Sequence, residues 1–583
     1  MTLQFHPIGA GTDFTALPEN YFPAALPYLN RHTQLPPLAL LVPELPPKAD
    51  ATHHRPPEPQ EIPPKTLADP SAMLAQMTPG QEGFLLPLSV ALPPAAQGIS
   101  CDREEATVTV LIDTGIAFWN PAFRKPDGGN RIKAITFLGS GTAHPALKQE
   151  DFAPYYALAD APGGARRVVA ALAEAYPGSL YDGYFQPDQF SHGTAMADLL
   201  SRSTQTEPDP AAIYAIELPA QAVLDRSGAS LQAMLLSAIA TAIQGVRDSK
   251  VSQLNIVLPF ACLGGPHNRN HPGLDFLHQA LERHPPGFAV EIFVPVGNHR
   301  QDRQHARFDD LSPQAQQGIT WRLHHGDHSA NSLDLTFQSA NPPRLRLTAP
   351  DGSQAEHLLS PGSCATLTKG GQVVGAALLR SFDQDQHRLR LSLCAPASKT
   401  AGKSPALPRC DAGDWRVELC AADAAVQDIA LWILRDDSNV HLHGADPVRA
   451  SEFVDPAYRT RTADNGFTML DQELSMIKHS GTTSVLCGEG RLGLTAVKAL
   501  HRPCAGAALQ DSWYSGMPLP GQPEPLGQWV DTGWEAPGLR LLGNGSARRF
   551  RVSGTSFACA LAARADRNAT QQRRRSVYSA LQI

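Results

Sequence analysis

The feature that most constrains the fold is an alternation, starting near residue 105, of short apolar runs with longer segments of helical periodicity. Residues 107–112 and 213–218 have the length and the β-branched content of buried strands. Residues 230–248 follow them and carry apolar side chains at positions i, i+3 and i+4, as an amphipathic helix does. Because strands that alternate with helices build parallel sheets covered by helices, we predict an α/β domain here.

A second pattern begins near residue 320 and ends near residue 445. It consists of short alternating runs separated by turn residues, with no helical segment among them: 332–337, 344–348, 373–379, 388–393, 414–419 and 429–434. Strands of this length and spacing are typical of a β-sandwich or a jelly roll. We therefore predict that a β-rich module, residues 320–445, is inserted into the α/β domain, whose two parts are residues 105–319 and 446–583.

Proline density sets the first hundred residues apart. This stretch holds nineteen prolines, and long helices cannot cross such a spacing. Apolar residues between the prolines, such as Phe14, Tyr21 and residues 38–42, favour docking of the segment on the rest of the chain. We predict a Pro-rich N-terminal extension over residues 1–104, an extended strap that either braces the folded body or covers a cleft in it.

Length and charge limit the functional classes. A chain of 583 residues is longer than one hydrophobic core supports, which agrees with several structural units. The 49 Lys and Arg residues against 56 Asp and Glu leave a net charge of −7, so no basic field invites nucleic acid or an anionic membrane. The sequence has no apolar run of membrane-spanning length, and residues 1–10 lack the pattern of a secretory signal. We expect a cytoplasmic protein without nucleic-acid or membrane partners, and the oligomeric state stays open.

Cysteine spacing bears on metals and disulfides. The nine cysteines include no Cys-x-x-Cys pair, so neither a zinc site nor a disulfide framework has support in the sequence. Most of them are expected to be buried thiols, which behave as small apolar groups. We therefore predict no metal site from the cysteines.

Three short motifs carry a recognisable chemistry, and they occur in the order Asp, His, Ser. Asp113 lies in the run 110–115 after a β-branched strand, His192 opens an apolar helical run, and Ser556 lies in the segment 554–558 at a second helix start. A serine hydroxyl is a weak nucleophile until an imidazole accepts its proton, and the imidazole needs a carboxylate to fix its tautomer. These three residue types therefore predict a catalytic triad, with the helix dipole at Ser556 favouring an oxyanion.

In these motifs the chain resembles the subtilisin-like serine proteases, or subtilases, in which the triad has the same order. The resemblance covers roughly residues 105–300 and 470–566. It includes a strand-end Gly-Asn at 297–298, an Ala-Pro-Gly turn at 536–538 and an aromatic-serine segment at 512–515. It implies a subtilisin-like catalytic domain, an oxyanion role for Asn298 and a protein or peptide substrate. It implies no cofactor. Many relatives bind calcium, but no Asp-rich loop in this chain provides an evident site.

Two departures from the family pattern concern the substrate. The spacing from Asn298 to Ser556 is 556 − 298 = 258 residues, far more than a minimal subtilase needs, and the β-rich module accounts for the surplus. The substrate-binding strand, which in the family ends in Ser-Leu-Gly, is matched either by Val257-Leu258-Pro259 or by 262–264. We take the first as the substrate-binding residues while both registers stay open. Pro259 would remove one N–H from a strand that pairs with the substrate peptide.

The resulting prediction is a serine endopeptidase that cleaves few targets through an acyl-enzyme. A catalytically silent pseudoprotease, or a binding module that presents the β-rich insert, is the main alternative. A second Asp-Thr-Gly, residues 531–533, raises a remote alternative, because aspartic proteases use two such motifs to supply a carboxylate pair. A Walker A match at 397–404 is followed at once by Pro405, so it does not lead into the helix that a phosphate loop requires.

Overall fold

The computed structural model describes the chain in segments. They are residues 2–8, 107–138, 146–183, 185–202, 212–220, 229–246, 249–261, 287–325, 327, 331–358, 364–381, 385–394, 396, 409–434, 450–461, 474–478, 492–503, 506–517, 524–531, 538–545 and 548–567. Several sequence predictions lie outside these residues, among them the apolar anchors Phe14, Tyr21 and 38–42, the alternative strand 262–264 and the phosphate-loop match at 397–404.

The secondary structure is dominated by strands. The strands of the first part of the chain are β1 (Leu3–Ile8), β2 (Thr107–Asp113), β3 (Ile132–Phe137), β4 (Leu147–Lys148), β5 (Ile213–Glu217), β6 (Gln253–Val257) and β7 (Ala289–Pro295). The middle part contains β8 (His305–Arg307), β9 (Gln316–Leu323), β10 (Asn331–Gln338), β11 (Arg344–Thr348), β12 (Gln354–Leu358), β13 (Cys364–Lys369), β14 (Gln372–Ser381), β15 (Gln386–Leu393), β16 (Gly413–Cys420), β17 (Gln427–Leu434), β18 (Glu452–Val454) and β19 (Ile477–Lys478). The last part contains β20 (Leu492–His501), β21 (Gln510–Asp511), β22 (Leu526–Asp531), β23 (Leu539–Leu542) and β24 (Arg549–Val552).

The helices are fewer. The α-helices are α1 (Ala153–Asp160), α2 (Gly164–Ala175), α3 (His192–Ser201), α4 (Ala229–Gly245) and α5 (555–567), and short 3₁₀ helices occur at Pro121–Phe123 and Gln149–Phe152. In the part of the chain that the structure describes, none of them combines the length and the apolar character needed to cross a bilayer.

A nine-stranded sheet forms the α/β body that the sequence predicts. Its strand order is β21-β20-β7-β6-β2-β5-β3-β4, with β22 paired to β20, and all neighbours are parallel except β4 and β21. The non-sequential order places β2 between β5 and β6. Each parallel neighbour along the chain is therefore reached by a crossover connection, as in other helix-covered sheets.

The two faces of this sheet fill two different cores because strand side chains alternate. Along β2, Val108, Val110 and Ile112 face a core that includes Ile239 and Ile243 of α4. Leu111 faces the other core, which includes residues of α3 and α5 such as Met196 and Phe557. Asp113 continues the Leu111 face, two residues further along the strand. Alternation alone therefore directs its carboxylate toward the side of the sheet where α3 and α5 lie.

Two antiparallel sheets make up the β-rich part. One has the order β1-β13-β14-β15-β10-β17-β8-β19 and the other β12-β11-β16-β9-β18. Apolar residues from both sheets form one buried cluster, in which Trp321 of β9 and Trp415 of β16 lie directly opposite each other. Because a single core joins the sheets, they pack on each other as two layers.

These sheets extend past both limits of the β-rich module predicted at 320–445. At one end β8 and half of β9 precede residue 320, and at the other β18 and β19 follow residue 445. Strand β1 also belongs here, because Leu3–Ile8 pairs residue by residue with β13. Its Leu3 side chain is 2% exposed and lies within the shared core. Strands on the two sides of the boundaries at 104 and 319 are therefore paired with each other in the structure.

Candidate functional site

Asp113 ends β2 at the carboxyl edge of the parallel sheet. Its side chain is fully buried, and Oδ1 accepts a hydrogen bond of 2.7 Å from the N–H of Thr114. Loops at the carboxyl ends of parallel strands are the usual position of ligand and active sites in open α/β sheets. A carboxylate buried here needs a partner, since an unpaired buried charge is costly.

His192 supplies that partner from the first residue of α3. Its Nδ1 lies 2.8 Å from Asp113 Oδ2 and 3.0 Å from Oδ1, so the carboxylate accepts the proton of Nδ1 and leaves Nε2 as the basic nitrogen. Burial lowers the pKa of His192, but the charge of Asp113 and its hydrogen bond outweigh burial and raise that pKa above the usual 6.5. The arrangement stabilises an imidazolium, as a general base requires.

Neighbouring backbone contacts lock α3 onto the turn that follows Asp113. The N–H of Gly193 donates to the carbonyl oxygen of Thr114 at 3.0 Å. Thr194 Oγ1 accepts from the N–H of Ala117 at 2.8 Å and donates to the carbonyl of Gly115 at 2.9 Å. A Cβ at position 193 would lie 2.4 Å from the Thr114 oxygen, so only glycine permits this approach. The two motifs therefore fit together through the residues next to Asp113 and His192.

Ser556 is the second residue of α5, and this helix approaches His192 closely. The ring of Phe557 lies 5.5 Å from the imidazole of His192, centroid to centroid. Ser556 Oγ donates a hydrogen bond of 2.9 Å to the carbonyl oxygen of Pro259. Rotation about the Cα–Cβ bond gives a serine hydroxyl three staggered positions, so the hydroxyl has other directions open to it. The structure therefore brings Asp113, His192 and the helix of Ser556 together from distant parts of the sequence.

Asn298 follows β7 and holds the start of α5. Its Oδ1 accepts from the N–H of Thr555 at 2.9 Å and from Thr555 Oγ1 at 3.0 Å. A backbone N–H can only donate, so the atom facing it must be the amide oxygen, and this fixes the orientation of the amide. The NH₂ group then lies on the side of Gly554, where Nδ2 is 3.3 Å from the position of a Cβ. Asn298 thus presents its donors beside the loop that precedes Ser556.

The strand end 257–259 lies next to Ser556. Val257 is the buried last residue of β6, and the N–H of Leu258 donates to the carbonyl of Phe293 at 3.0 Å. The next carbonyl, that of Pro259, is the acceptor for Ser556 Oγ. This segment is therefore adjacent to the serine, while its rival in the sequence, 262–264, lies outside the described residues.

The second Asp-Thr-Gly does not form a carboxylate pair with the first. Asp531 ends β22, and β20, β7 and β6 stand between β22 and β2 in the sheet. Four steps between strands, at about 4.8 Å each, place the two strands about 19 Å apart. The Asp531 carboxylate instead accepts from Tyr514 Oη at 2.7 Å and from Ser512 Oγ. The geometry that an aspartic protease requires is therefore absent from these two strands.

Tyr514 links that carboxylate to the serine loop. Burial, the charge of Asp531 and its hydrogen bond raise the pKa of Tyr514, so the phenol stays protonated. The backbone of Gly554 is a further hydrogen-bond partner of this hydroxyl. Asp531 and Tyr514 thus anchor the loop just before Ser556.

One acidic residue at the site was not recognised from the sequence. Glu217 ends β5, directly opposite Asp113 in the parallel pair, and it is 1% exposed. Its carboxylate oxygens accept from the N–H groups of Gly115 and Ile116, the latter at 3.2 Å. Burial raises the pKa of Glu217 to about 8 against the effect of these donors, and the charge of Asp113 adds to the rise. An acidic residue that ends an apolar strand was the signal available in the sequence.

Metal-binding groups are sparse in the described segments. Within them, no cluster of three or more His, Cys, Asp or Glu side chains is placed to hold a metal ion. The resemblance to subtilases therefore gains no calcium ligands from these residues.

Comparison with known proteins yields a distant likeness among the solved structures. No protein-family model matches the chain, and no curated protein matches it. Among solved structures, the CspB protease of Clostridium perfringens is similar to it, with 16% sequence identity and a TM-score of 0.49 over 79% of this chain and 82% of that chain. At this identity and TM-score the likeness assigns neither a family nor an activity.

Proposed function

We propose that this chain is a subtilisin-like serine endopeptidase that cleaves protein or peptide substrates by acyl transfer. The observation that carries the proposal is the position of the His192 imidazole: it lies 2.8 Å from the buried Asp113 carboxylate, and it contacts Phe557 of α5, the helix that carries Ser556. A buried carboxylate bonded to Nδ1 prepares Nε2 to take a proton from a hydroxyl. Ser556 precedes Phe557 in the first turn of this helix, so its hydroxyl is the candidate nucleophile.

In the proposed reaction, Ser556 Oγ attacks the carbonyl carbon of the scissile peptide bond. His192 Nε2 takes the hydroxyl proton and later returns it to the amine of the leaving peptide, while Asp113 stabilises the imidazolium. A water molecule then attacks the acyl-enzyme, with His192 again as the base. Each step moves one proton between Nε2 and an oxygen or nitrogen, so no cofactor is needed.

The tetrahedral oxyanion would be stabilised by two donors. The first is the Asn298 amide, whose NH₂ group is oriented by the bonds of its oxygen to Thr555. The second is the N–H of Ser556, which belongs to the first turn of α5, where backbone N–H groups have no acceptor within the helix. Donors that are fixed before the charge develops supply the largest single contribution in many enzymes.

The strand end at Val257, Leu258 and Pro259 is proposed to bind the substrate backbone. The Pro259 carbonyl now accepts from Ser556 Oγ, so it can accept from a substrate N–H once the hydroxyl turns to His192. Pro259 itself offers no N–H, which removes one of the ladder bonds that an extended peptide would otherwise make. Fewer backbone bonds leave more of the selection to side-chain contacts, and this supports narrow specificity.

A catalytically silent protein is the second candidate, and one observation favours it. Ser556 Oγ bonds to Pro259 and is thereby engaged away from the imidazole. The two candidates differ in whether the hydroxyl reacts. An active serine hydrolase forms a covalent adduct with a fluorophosphonate, because the reagent needs an activated serine and an oxyanion site.

The test is fluorophosphonate labelling of the full-length protein at neutral pH, with Ser556→Ala as the control. Labelling of the wild type at Ser556, located by mass spectrometry, with none in the variant, is the expected result. Cleavage of an unfolded protein such as casein by the wild type alone would complete it. If the folded wild type does not label over pH 6–9, the enzyme proposal is wrong and the silent reading replaces it.

A further inference from the structure

Glu217 is a buried carboxyl group beside the proposed triad, and the triad mechanism gives it no task. It lies on β5 with its Cα paired to that of Asp113, and side chains paired across parallel strands point to the same face of a sheet. The equivalent position on the far neighbour, β3, is Phe137, which is apolar and buried. Glu217 therefore faces Asp113 on one side and a hydrocarbon wall on the other.

The hydrogen bonds of Glu217 end on the turn that follows Asp113. Its two oxygens accept from the backbone N–H groups of Gly115 and Ile116, one oxygen each. The same turn is held from the opposite side by Ser191 and Thr194, which both donate to the carbonyl of Gly115. The turn is thus clamped between β5 and the start of α3, and Asp113 is its first residue.

We propose, on the premise of the protease function above, that Glu217 is a positioning residue: by holding the N–H groups of Gly115 and Ile116 it aims the Asp113 carboxylate at His192. Without Glu217 these two buried donors would lose their acceptors, and the turn would move to find others. Asp113 would move with it, since only Thr114 separates it from Gly115. The effect on catalysis is then a loss of orientation, which lowers kcat rather than raising KM.

The charge state of Glu217 gives the proposal a distinctive pH dependence. The titratable groups that face Glu217 are Asp113 from β2 and Tyr181 from the segment before α3, whose hydroxyl also donates to the carbonyl of Ile116 at 2.9 Å. Burial and the charge of Asp113 raise the pKa of Glu217 to about 8. Below this pH the carboxyl is neutral, and above it the carboxylate binds both N–H groups more strongly and adds negative charge on the Asp113 side of His192.

Because negative charge near His192 stabilises the imidazolium that forms in the transition state, kcat of the wild type should rise a second time with a midpoint near pH 8. This rise comes after the first one, which reflects deprotonation of His192. Glu217→Gln keeps the size and one acceptor oxygen but cannot ionise, so its profile should level off after the first rise. We expect kcat of Glu217→Gln to be about threefold to tenfold lower at pH 9, with KM unchanged.

A matched control is available on the same sheet. Glu291 lies on β7, is partly buried, and accepts a hydrogen bond from Thr495 Oγ1 at 2.5 Å; burial raises its pKa as well. Glu291→Gln removes a comparable strand carboxyl that has no contact with the turn after Asp113. Glu291→Gln should keep the two-step pH profile of the wild type. A change seen only in Glu217→Gln then reflects the position of Glu217 beside the turn, and not the loss of a buried carboxyl group in general.

The experiment measures kcat and KM of a peptide substrate from pH 6 to 10 for the full-length wild type, Glu217→Gln and Glu291→Gln, with melting temperatures alongside. A Glu217→Gln variant whose kcat and pH profile are identical to those of the wild type overturns the proposal. A two-step profile that Glu217→Gln alone flattens supports it. Fluorophosphonate labelling separates the two proposals: an unlabelled wild type refutes the protease function, whereas a labelled wild type with an unaffected Glu217→Gln refutes only this role of Glu217.

Discussion

Replacing Gly193 by alanine tests whether the contact between α3 and the turn after Asp113 sets the geometry of the site. The added Cβ would lie 2.4 Å from the Thr114 carbonyl oxygen and 2.8 Å from Ile116 Cγ1. To reach even 3.0 Å from that oxygen, the helix or the turn must move by 3.0 − 2.4 = 0.6 Å. Both partners are main-chain segments bound to each other by the Gly193 N–H, so neither can yield by a simple rotamer change.

The magnitude follows from two opposing contributions. Overpacking at a buried contact costs about 1–3 kcal/mol, and a clash with backbone belongs at the upper end. Alanine is favoured over glycine within a helix by about 1 kcal/mol, which offsets part of the loss. We expect a net loss of about 2 kcal/mol, which lowers the melting temperature of an α/β domain of about 350 residues by about 3 °C. Displacing His192 from Asp113 by several tenths of an ångström should lower kcat by roughly 10-fold to 100-fold.

The assay is peptide turnover together with thermal unfolding of the full-length chain, and Gly287→Ala is the control. At position 287 a Cβ meets no atom within 4 Å and the backbone is not left-handed, so that variant should match the wild type. Helix propensity alone predicts that Gly193→Ala is the more stable protein, so the two arguments differ in sign. A Gly193→Ala variant with wild-type turnover and an equal or higher melting temperature would refute the steric argument.

Three further outcomes are expected. Asn298→Ala should lower kcat by roughly 10²-fold to 10³-fold, which is the effect of one lost oxyanion donor. Asn298→Asp keeps the acceptor for Thr555 but lacks the amide donor, so its kcat should fall as strongly. Turnover at the wild-type rate in both variants would show that the oxyanion assignment is wrong. Because Asp113 raises the pKa of His192, kcat/KM of the wild type should increase with pH through a first midpoint above 6.5. In Asp113→Asn the pH midpoint of fluorophosphonate labelling should lie below that of the wild type. An unmoved midpoint counts against the pairing of Asp113 with His192. A chain that begins near Asp102 lacks β1, so it should melt at a lower temperature because β13 loses one of its two neighbouring strands and Leu3 leaves the core. Faster turnover at an unchanged melting temperature would indicate an obstructing segment instead.

The parts of the fold that could be predicted are those with a local signal. The strand at β2 and the helix at α4 are visible because their apolar residues recur with the period of the element they form. The β-rich segment is visible for the same reason, yet its limits are not. Strands β8 and β19 are three and two residues long, too short to show any period, and β1 is paired with a strand more than 350 residues away.

The candidate site divides in the same way. Asp113, His192 and Ser556 could be proposed from the sequence because their three motifs, each weak alone, occur together in the order Asp, His, Ser. Glu217 lies in no motif, and its importance depends on the register of β5 against β2, which pairs it with a residue 217 − 113 = 104 positions away. The acceptor role of Pro259 could not be predicted either, because a main-chain carbonyl leaves no mark on the sequence.

The geometry also explains why a motif of three residues is more informative here than its reactive residue alone. In each motif the fixing contacts are made by the neighbours: Gly193 and Thr194 hold the turn after Asp113, and Thr555 holds Asn298. His192 and Ser556 are thereby placed by main chain that is bound on both sides, and in the proposed mechanism their own side chains exchange the proton. A substitution next to the reactive residue should therefore also reduce kcat. The reduction should grow with the displacement that the substitution causes, because no reacting group is removed. The size of the loss in kcat therefore separates positioning residues from catalytic ones along the same three motifs. Comparing kcat of Gly193→Ala with kcat of His192→Ala measures this difference directly.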